Sequence, residues 1–382
     1  MIYYGHQHIT NEDIAAVREV LTSDFLTQGP AVARFERSVA DYCGAAHAVA
    51  VTNATAALHI ACQAAGLGAG DVLWTSPVTF VASANCARYC GADVDFVDID
   101  DKTYNMSVAV LEEKLKTAKK LPKVVVPVHL AGQSCAMQRI WELSREYGFT
   151  VIEDASHAIG GSYQDNPVGS CAYSDMTVFS FHPVKIITTG EGGMVLTNRR
   201  ELCEGLQLYR SHGITRDPSR MTRTADGPWY YEQIALGCNY RMTDLQAALG
   251  ASQMTKLDAF VARRRYLVQR YREKLKDLPL RTPFCAPDAN PSWHIYIVRL
   301  DLERVKKSKQ EIFAEMKERG IMLNLHYIPV HLQPYYRELG FAEGDFPVSE
   351  RYYREALTLP LYYDLTDAQQ EAVVAALHEV LG

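Results

Sequence analysis

Apolar and polar positions alternate along the first half of the chain in a pattern that predicts strands and helices in turn. Residues 47–52 (HAVAVT) form an apolar run typical of a buried strand, and the Ala-rich segment 54–66 has helical spacing. Further strands are predicted at 71–75, 93–97, 123–130 and 149–153, with helices at 79–91, 111–117 and 136–148. Repeated strand–helix units predict a parallel sheet with helices on both faces and a ligand crevice where the strands end.

This pattern changes after Gly160. Segments 176–181 and 193–197 are predicted to be successive strands joined by a Gly-rich turn, which leaves no room for a crossover helix. A helix over 199–210 and a polar loop to about 238 follow. From 243 to about 275 the spacing predicts one long helix, whose length suits a connector between two domains.

The remaining residues predict a small α+β domain. Its predicted elements are strands at 293–300 and 321–326 and helices at 306–319, 349–357 and 366–381. Two further helices are predicted near the N-terminus, one after a capping box at Thr10 and one over 31–42. The predicted fold class is therefore α/β, with a large domain over 1–255 that includes an N-terminal arm and a small C-terminal domain over 256–382.

Composition narrows the function classes. The chain has 382 residues, 48% hydrophobic and 22% charged, which is typical of a soluble globular protein. Its 39 basic and 45 acidic residues give a net charge of −6, which argues against a nucleic-acid groove or a membrane-surface role. Nine cysteines without a CxxC pair predict reduced thiols rather than disulfides or a zinc site. Because no signal peptide or apolar span is recognisable, we expect a cytoplasmic protein.

Lys185 is the first candidate for chemistry. It follows the predicted strand TVFSF and lies among apolar residues before the turn GEGG (190–193), which would let backbone approach a ligand. Burial disfavours a charged amine, so it lowers the pKa of a lysine and favours its use as a nucleophile. The alternative is a surface lysine that extends its charge to water.

Asp154 is the second candidate. It follows the run FTVIE, so its carboxylate is expected at the carboxyl end of a parallel strand, where open sheets bind ligands. A helix N-cap is an equally good interpretation of this residue by itself.

Two further features could hold a planar anionic ligand. At 52–57 (TNATAA) a strand end passes into a helix, whose free N–H groups, with Asn53 and Thr55, could bind phosphate. Phe80 could stack on a planar ring. Ordinary helix capping and core packing are the alternatives for these features. Taken in order, a phosphate-type helix start, an aromatic residue, a strand-end Asp and a strand-flanked Lys fit pyridoxal 5′-phosphate.

Several longer segments carry a family resemblance. They are DFLTQGP (24–30), TNATAALH (52–59), EDASHAIGG (153–161), FSFHPVKIITTGEGG (179–193), NYRMTDLQAALG (239–250) and NLHYIPVH (324–331). Over nearly its full length the chain resembles the DegT/StrS family of sugar-nucleotide aminotransferases. The resemblance implies a type I aminotransferase fold and a homodimer whose active sites are built across the subunit interface.

The resemblance also implies roles for individual residues. Lys185 would be the Schiff-base lysine and general acid/base, Asp154 would pair with the pyridine nitrogen, and His157 would lie near the phenolic oxygen of the cofactor. Phe80 occupies the stacking position. The phosphate and the substrate would be surrounded by Ala54, Thr55, Ser180 and, from the other subunit, Asn239. Family members that remove a hydroxyl carry His in place of the lysine, so Lys185 favours transamination.

Within the family, the chain most resembles the enzymes that aminate C4 of a UDP-linked 4-keto-sugar in pseudaminic acid synthesis, with L-glutamate as the amino donor. The resemblance implies substrate contacts from Tyr4, Asp24, Phe25, Leu26, Thr27, Ala54, Ser180, Asn239, Asn324, Leu325, His326 and Tyr327. A carboxylate at Asp24 would repel a diphosphate unless only its backbone faces the ligand. Packing between the two domains is the alternative for His326 and Tyr327.

The sequence leaves two other functions open and disfavours two more. One alternative is an aminotransferase for another nucleotide-linked 3- or 4-keto-sugar, and another is a non-catalytic sensor with a pyridoxal-phosphate fold. A nicotinamide dehydrogenase is disfavoured because GxGxxG is missing after the first strand. No metal site is predicted, because no carboxylate or Cys cluster accompanies His6, His8, His326 or His331.

Overall fold

A computed structural model describes all 382 residues of the chain as an α/β protein. The helices are α1 (Asn11–Leu21), α2 (Pro30–Cys43), α3 (Ala54–Ala64), α4 (Ala82–Tyr89), α5 (Val108–Thr117), α6 (Met137–Tyr147), α7 (Arg200–Arg210), α8 (Asp244–Met254), α9 (Leu257–Lys274), α10 (Lys309–Glu318), α11 (Pro334–Arg337), α12 (Pro347–Glu355) and α13 (Asp367–Leu381). No helix combines the length and the apolar content that crossing a membrane requires.

The strands divide into one large sheet and several small ones. They are β1 (His47–Val51), β2 (Val72–Thr75), β3 (Asp93–Phe96), β4 (Val124–Val126), β5 (Thr150–Asp154), β6 (Ser162–Tyr163), β7 (Asn166–Pro167), β8 (Met176–Ser180), β9 (Gly193–Thr197), β10 (Ile214–Thr215), β11 (Glu232–Gln233), β12 (Leu280–Arg281), β13 (Ala289–Asn290), β14 (Tyr296–Leu300) and β15 (Ala356–Leu359).

The large sheet has seven strands in the order β1-β9-β8-β5-β4-β2-β3. Strands β3, β2, β4, β5 and β8 pair in parallel, whereas β9 runs antiparallel to both of its neighbours. The segment between β8 and β9 is too short for a crossover helix, so β9 must return beside β8 in the opposite direction. The predicted fold class is confirmed, and so is the predicted change of pattern after residue 160.

Helices cover both faces of the central strands of the large sheet. Every residue of β8 and β9 is buried, as a strand covered on both faces requires. On one face Phe35 of α2 is completely buried and its ring lies 5.0 Å from that of Phe181, which follows β8. Gly250 of α8 faces the Phe35 ring, and a Cβ at Gly250 would lie 2.6 Å from that ring. This contact holds α2 and α8 against the end of β8.

The predicted long helix over 243–275 is wrong in one respect, because it is two helices that break at Thr255 and Lys256. The amides of these two residues donate to the carbonyls three residues back, of Ser252 and Gln253, which is the tighter turn that ends many helices. The Lys256 amine also turns to Asp13 of α1, at 2.6 Å. The break separates α8, which packs on α1 and α2, from the later part of α9, whose residues Leu267 and Tyr271 pack in the core beside β14.

The C-terminal part has a three-stranded sheet in the order β12-β14-β15. The predicted strand at 321–326 is wrong, since its residues form only single bridges, Ile321 with Ile2 and Asn324 with Thr358. The second strand beside β14 is instead β15, which follows α12 at Ala356, where a helix was predicted to continue to 357. Pairing with β14 outweighs local helical pattern at these positions. The domain division at residue 255 stays a prediction.

The N-terminal arm lies along the C-terminal part before the chain enters α1. The amide of Met322 donates to the Ile2 carbonyl at 2.8 Å, and the amide of Leu361 donates to the Tyr4 carbonyl at 3.0 Å. These bonds fix Tyr4 between the two parts of the molecule.

A close approach at Gly193 provides a test of this architecture. A Cβ at Gly193 would lie 2.5–2.7 Å from the backbone of Asn53 and Ala54, which cannot move without shifting α3. We expect Gly193→Ala to destabilise the protein by about 1–3 kcal/mol, in the range of other overpacked sites. Urea denaturation measures this change, with Gly68→Ala as the control because a Cβ there meets nothing within 4 Å. Equal stability of the two variants would contradict the close approach.

Candidate active site

A cavity of about 840 Å³ opens at the carboxyl ends of the parallel strands, between the large sheet and the C-terminal part. Most of the predicted site residues line it. They are Tyr4, Ala54, Thr55, Phe80, Asp154, His157, Ser180, Lys185, Asn324, Leu325, His326 and Tyr327. Residues from distant parts of the sequence therefore meet at the crevice predicted from the order of the strands.

The N-terminus of α3 forms one side of the cavity. The Asn53 side chain caps the helix by accepting a hydrogen bond from the Ala56 amide at 2.8 Å. The amides of Ala54 and Thr55 have no partner inside the helix, because they belong to its first turn. With the positive end of the helix dipole, these amides form a binding site for an anion such as phosphate.

In the turn GEGG, Glu191 lines the cavity, and the approach of the turn's backbone to a ligand stays a prediction. Gly193 brings β9 against the Asn53–Ala54 junction, since any side chain there would overlap that backbone. Its effect on the anion site is therefore indirect, through the position of the α3 N-terminus.

Asp154 ends β5 and is 6% exposed. The hydroxyl of Ser83 donates to its Oδ2 atom at 2.6 Å, and the amide of Ser156 donates to Oδ1 at 3.1 Å. Ser83 is itself paired with Thr79 at 2.8 Å. These donors stabilise a buried negative charge, which can face a protonated pyridine nitrogen. The contact with Ser156 is a local turn, but no helix begins at Asp154, so the N-cap interpretation is wrong.

Lys185 lies in the turn between β8 and β9 and is half-buried. Burial lowers the pKa of its amine to about 8, an effect that the Asp154 carboxylate partly opposes. A measurable fraction of this amine is therefore neutral near neutral pH, which is what attack on a carbonyl carbon requires. The alternative of a fully solvated surface lysine does not describe this residue.

His157 is held by two hydrogen bonds. Its Nδ1 atom accepts from the Ala131 amide at 3.3 Å, so the proton of the neutral ring belongs on Nε2, which donates to the Tyr327 hydroxyl at 3.2 Å. Burial, followed by the charge of Lys185, lowers the pKa of His157 well below its usual value. The ring is therefore a neutral hydrogen-bond donor toward the cavity.

His326 and Tyr327 close the cavity from the C-terminal part. His326 is bonded to the Thr358 hydroxyl at 2.9 Å, and its ring centroid lies 5.3 Å from that of Tyr4. Burial lowers the pKa of His326 to about 3. The Tyr327 ring lies 6.2 Å from Phe80, whose side chain is exposed toward the opening. His326 thus packs between the two parts of the chain and lines the cavity at once.

Five predicted residues lie outside the cavity of their own chain. The carbonyl of Leu26 accepts from the Asp244 amide at 2.9 Å, and Thr27 bridges Thr243, so the segment Asp24–Thr27 is held at the start of α8. Phe25 and Leu26 expose about half of their surface, 54% and 48%. Asn239 pairs with Ser211. The contribution of Asn239 from a second subunit stays a prediction.

Sequence reasoning missed several residues of the site. Ser83 holds Asp154, and its spacing of four from Thr79 was the available signal. The polar or aromatic residues that line the cavity and were not predicted are Thr79, Tyr89, Ser156, His182, Glu191, Tyr240 and His294. For His294 the sequence predicted a strand, but not which way its side chain faces.

The arrangement fits pyridoxal 5′-phosphate. An anion site at α3, a buried carboxylate at Asp154, an exposed aromatic face at Phe80 and an amine of lowered pKa at Lys185 border one cavity. These are the groups that a phosphate, a pyridine nitrogen, a planar ring and an aldehyde carbon require.

Comparison with known proteins places the chain in a family. The model of the DegT/DnrJ/EryC1/StrS aminotransferase family matches residues 7–378. The chain is 39% identical to the spore coat polysaccharide biosynthesis protein SpsC of Bacillus subtilis, over 99% of this chain and 96% of that protein. It is 38% identical to the GDP-perosamine synthase of Caulobacter vibrioides, over 92% and 91% of the two chains.

Solved structures agree with this. Helicobacter pylori PseC, an aminotransferase involved in the biosynthesis of pseudoaminic acid, has a TM-score of 0.92 and 29% identity, and the match covers 100% of this chain and 99% of PseC. Spr1654 of Streptococcus pneumoniae in its PLP-form has a TM-score of 0.89 and 27% identity, with 99% of each chain covered. The chain belongs to the DegT/DnrJ/EryC1/StrS aminotransferase family.

Proposed function

We propose that this aminotransferase moves an amino group from L-glutamate to C4 of UDP-2-acetamido-2,6-dideoxy-β-L-arabino-hexos-4-ulose. The product would be UDP-4-amino-4,6-dideoxy-N-acetyl-β-L-altrosamine, an intermediate of pseudaminic acid biosynthesis. One observation carries the aminotransferase chemistry: the Lys185 amine, of lowered pKa, borders the same cavity as Asp154 and the α3 N-terminus. The choice of acceptor is supported by the likeness to PseC, which extends over the whole chain.

The cofactor is pyridoxal 5′-phosphate, which supplies an electrophilic carbon and a ring that withdraws electrons from the reacting centre. The residues of this chain have distinct tasks around it. Lys185 would hold the cofactor covalently and, once released, would carry a proton between the donor carbon and the cofactor carbon. Asp154 would keep the pyridine nitrogen protonated. The amides of Ala54 and Thr55 would bind the phosphate, and Phe80 would cover the ring.

His157 is proposed to act as a hydrogen-bond donor rather than an acid. Its Nε2–H is directed to the Tyr327 hydroxyl and can also donate to the phenolic oxygen of the cofactor. Because its pKa is far below neutral, it stays uncharged through the reaction. Ser180, 6% exposed, lies at the end of β8, where its hydroxyl can join the phosphate.

The acceptor is proposed to enter along the C-terminal wall, with contacts from Tyr4 and the segment 324–327. Asp24–Thr27 and Asn239 do not reach the cavity of their own chain, so we propose that they act on the active site of the other subunit in a homodimer. This arrangement would also explain why Phe25 and Leu26 are exposed in one chain.

A second candidate is amination of another nucleotide-linked 3- or 4-keto-sugar. The 38% identity to a GDP-perosamine synthase favours it, because that relative is named for a GDP carrier. Both candidates use the same residues around the cofactor and differ in the segments that reach the nucleotide.

The absorption spectrum of the purified protein tests both candidates. We expect a visible band from bound cofactor that bleaches when L-glutamate is added. The band should return on addition of the UDP-linked 4-keto-sugar, and not with the GDP-linked 4-keto-sugar. Recovery with the GDP sugar alone would support the second candidate, and a protein that binds no cofactor in excess pyridoxal phosphate would contradict both.

The lowered pKa of Lys185 predicts how the rate of cofactor attachment depends on pH. A lysine of pKa about 8 is mostly protonated at pH 7 and mostly neutral at pH 9, so the neutral fraction rises about tenfold across this interval. We expect the rate at which cofactor-free protein regains the visible band to rise with a midpoint near pH 8. A midpoint near the usual lysine value would show that burial does not lower this pKa, and Lys185→Ala should never form the band.

The hydrogen bond from Ser83 to Asp154 gives a prediction about cofactor affinity. Ser83→Ala removes the hydroxyl that donates to Asp154 at 2.6 Å, and a hydrogen bond to a charged group contributes about 1.5–3 kcal/mol. We therefore expect the cofactor to bind about tenfold or more weakly, measured by titration of the cofactor-free protein. Ser134→Ala is the control, because Ser134 is also buried and bonds only a backbone carbonyl. Equal affinity in both variants would exclude this role.

A further inference from the structure

His294 is a buried histidine of the cavity wall that the proposed roles leave unused. It precedes β14, is 3% exposed and lines the cavity. Neither of its ring nitrogens has a hydrogen-bond partner in the chain, and Nδ1 is fully buried whereas Nε2 is not. Buried polar side chains are nearly always paired, so an unpaired ring at a cavity wall points to a ligand, which would reach it at Nε2.

The backbone, rather than the ring, fixes the position of His294. Its amide donates to the Ala131 carbonyl at 3.0 Å, and its carbonyl accepts from the Arg264 guanidinium at 2.9 Å. The ring lies 4.5 Å from that of His157, between centroids. The imidazole is therefore held beside the residue proposed to face the cofactor, with its Nε2 atom bonded to no group of the chain.

The charges around His294 favour an anion. Arg264 is 2% exposed and bonds only to backbone carbonyls, those of Trp293, His294 and Leu361, so no carboxylate neutralises it. Burial lowers the Arg264 pKa to about 10, which leaves the guanidinium charged at neutral pH. Burial is the largest cause that lowers the pKa of His294, and the charge of Lys185 follows. Burial therefore keeps this ring neutral, while the nearby positive charges of Lys185 and Arg264 attract a negative ligand.

One anion of the proposed reaction belongs beside Lys185. The amine of the donor would replace the Lys185 amine on the cofactor. In an amino acid, the α-carboxylate is attached to the same carbon as that amine. The phosphate of the cofactor has its own site at α3, and the diphosphate of the acceptor lies across the sugar ring from the reacting carbon. The α-carboxylate is therefore the anion that the chemistry places nearest to His294.

We propose that His294 binds the α-carboxylate of the amino donor through its imidazole N–H. Arg264 acts as a positioning residue, since it holds the His294 carbonyl and contributes positive charge without reaching the cavity. This assignment rests on the proposed function, because it assumes an amino acid as donor. It predicts that the two halves of the reaction depend on His294 to different degrees.

The test measures the two half-reactions separately in the cofactor-loaded protein. We expect His294→Phe to raise the L-glutamate concentration for half-maximal bleaching about tenfold or more, the loss of one hydrogen bond to a charged group. His294→Gln, which keeps a donor, should recover part of this affinity. The keto-sugar concentration that restores the band should change less than about twofold, because the acceptor has no carboxylate at the reacting carbon. Equal weakening of both half-reactions, or of neither, would overturn the assignment.

The control is His59→Phe. His59 is 8% exposed and its Nε2 atom is also unpaired, but it does not line the cavity. It should leave half-maximal bleaching by L-glutamate unchanged.

A second measurement separates this proposal from the proposed function. If L-glutamate fails to bleach the wild-type band, the donor assignment has failed, and calorimetric binding of glutarate to the cofactor-loaded protein tests the anion site alone. Glutarate has carboxylates but no amine to exchange. Weaker binding of glutarate to His294→Phe than to His59→Phe supports the site, and equal binding rejects it.

Discussion

The site depends on keeping a carboxylate and an amine close in one cavity without letting them neutralise each other. Ser83 and the Ser156 amide occupy the two oxygens of Asp154, so the carboxylate has donors other than Lys185. Burial then lowers the Lys185 pKa to about 8 in spite of the nearby negative charge. A direct ion pair would hold the amine protonated, whereas the hydrogen bond from Ser83 gives the carboxylate a partner other than Lys185.

The large sheet supplies the geometry that this separation needs. Asp154 ends β5 and Ser180 ends the neighbouring strand β8, so their side chains meet at one edge of the sheet. The short turn after β8 then brings Lys185 back across that edge before β9 begins. Phe35 and Phe181 anchor the turn on the core side, and Gly193 lets β9 fit beside the start of α3. The phosphate site and the amine are thus connected through backbone contacts that tolerate little change.

Three histidines line the cavity as neutral rings, two from the C-terminal part and one, His157, from the turn after β5. His157, His294 and His326 all have pKa values lowered by burial, and the Lys185 charge lowers each further. Neutral imidazoles can donate hydrogen bonds to anionic substrates without the strong ion pairs that would slow their release. The wall therefore provides hydrogen bonding more than charge, and the buried guanidinium of Arg264 adds a positive potential from behind it.

The order of apolar and polar segments alone predicted the α/β class and most strands of the large sheet, and it assigned the main candidate residues for the cofactor to one crevice, where they line one cavity. Parallel strands place their carboxyl ends at one edge, so a strand-end Asp154 and a strand-flanked Lys185 could be assigned to one crevice from their order. The family resemblance then extended this set to Tyr4 and the segment 324–327. The break at Thr255, the strand β15 in place of 321–326, the support from Ser83 and the unpaired ring of His294 depend on contacts between distant segments. These features could be seen only in the tertiary structure, because local periodicity indicates which residues are apolar but not which partner each polar atom contacts.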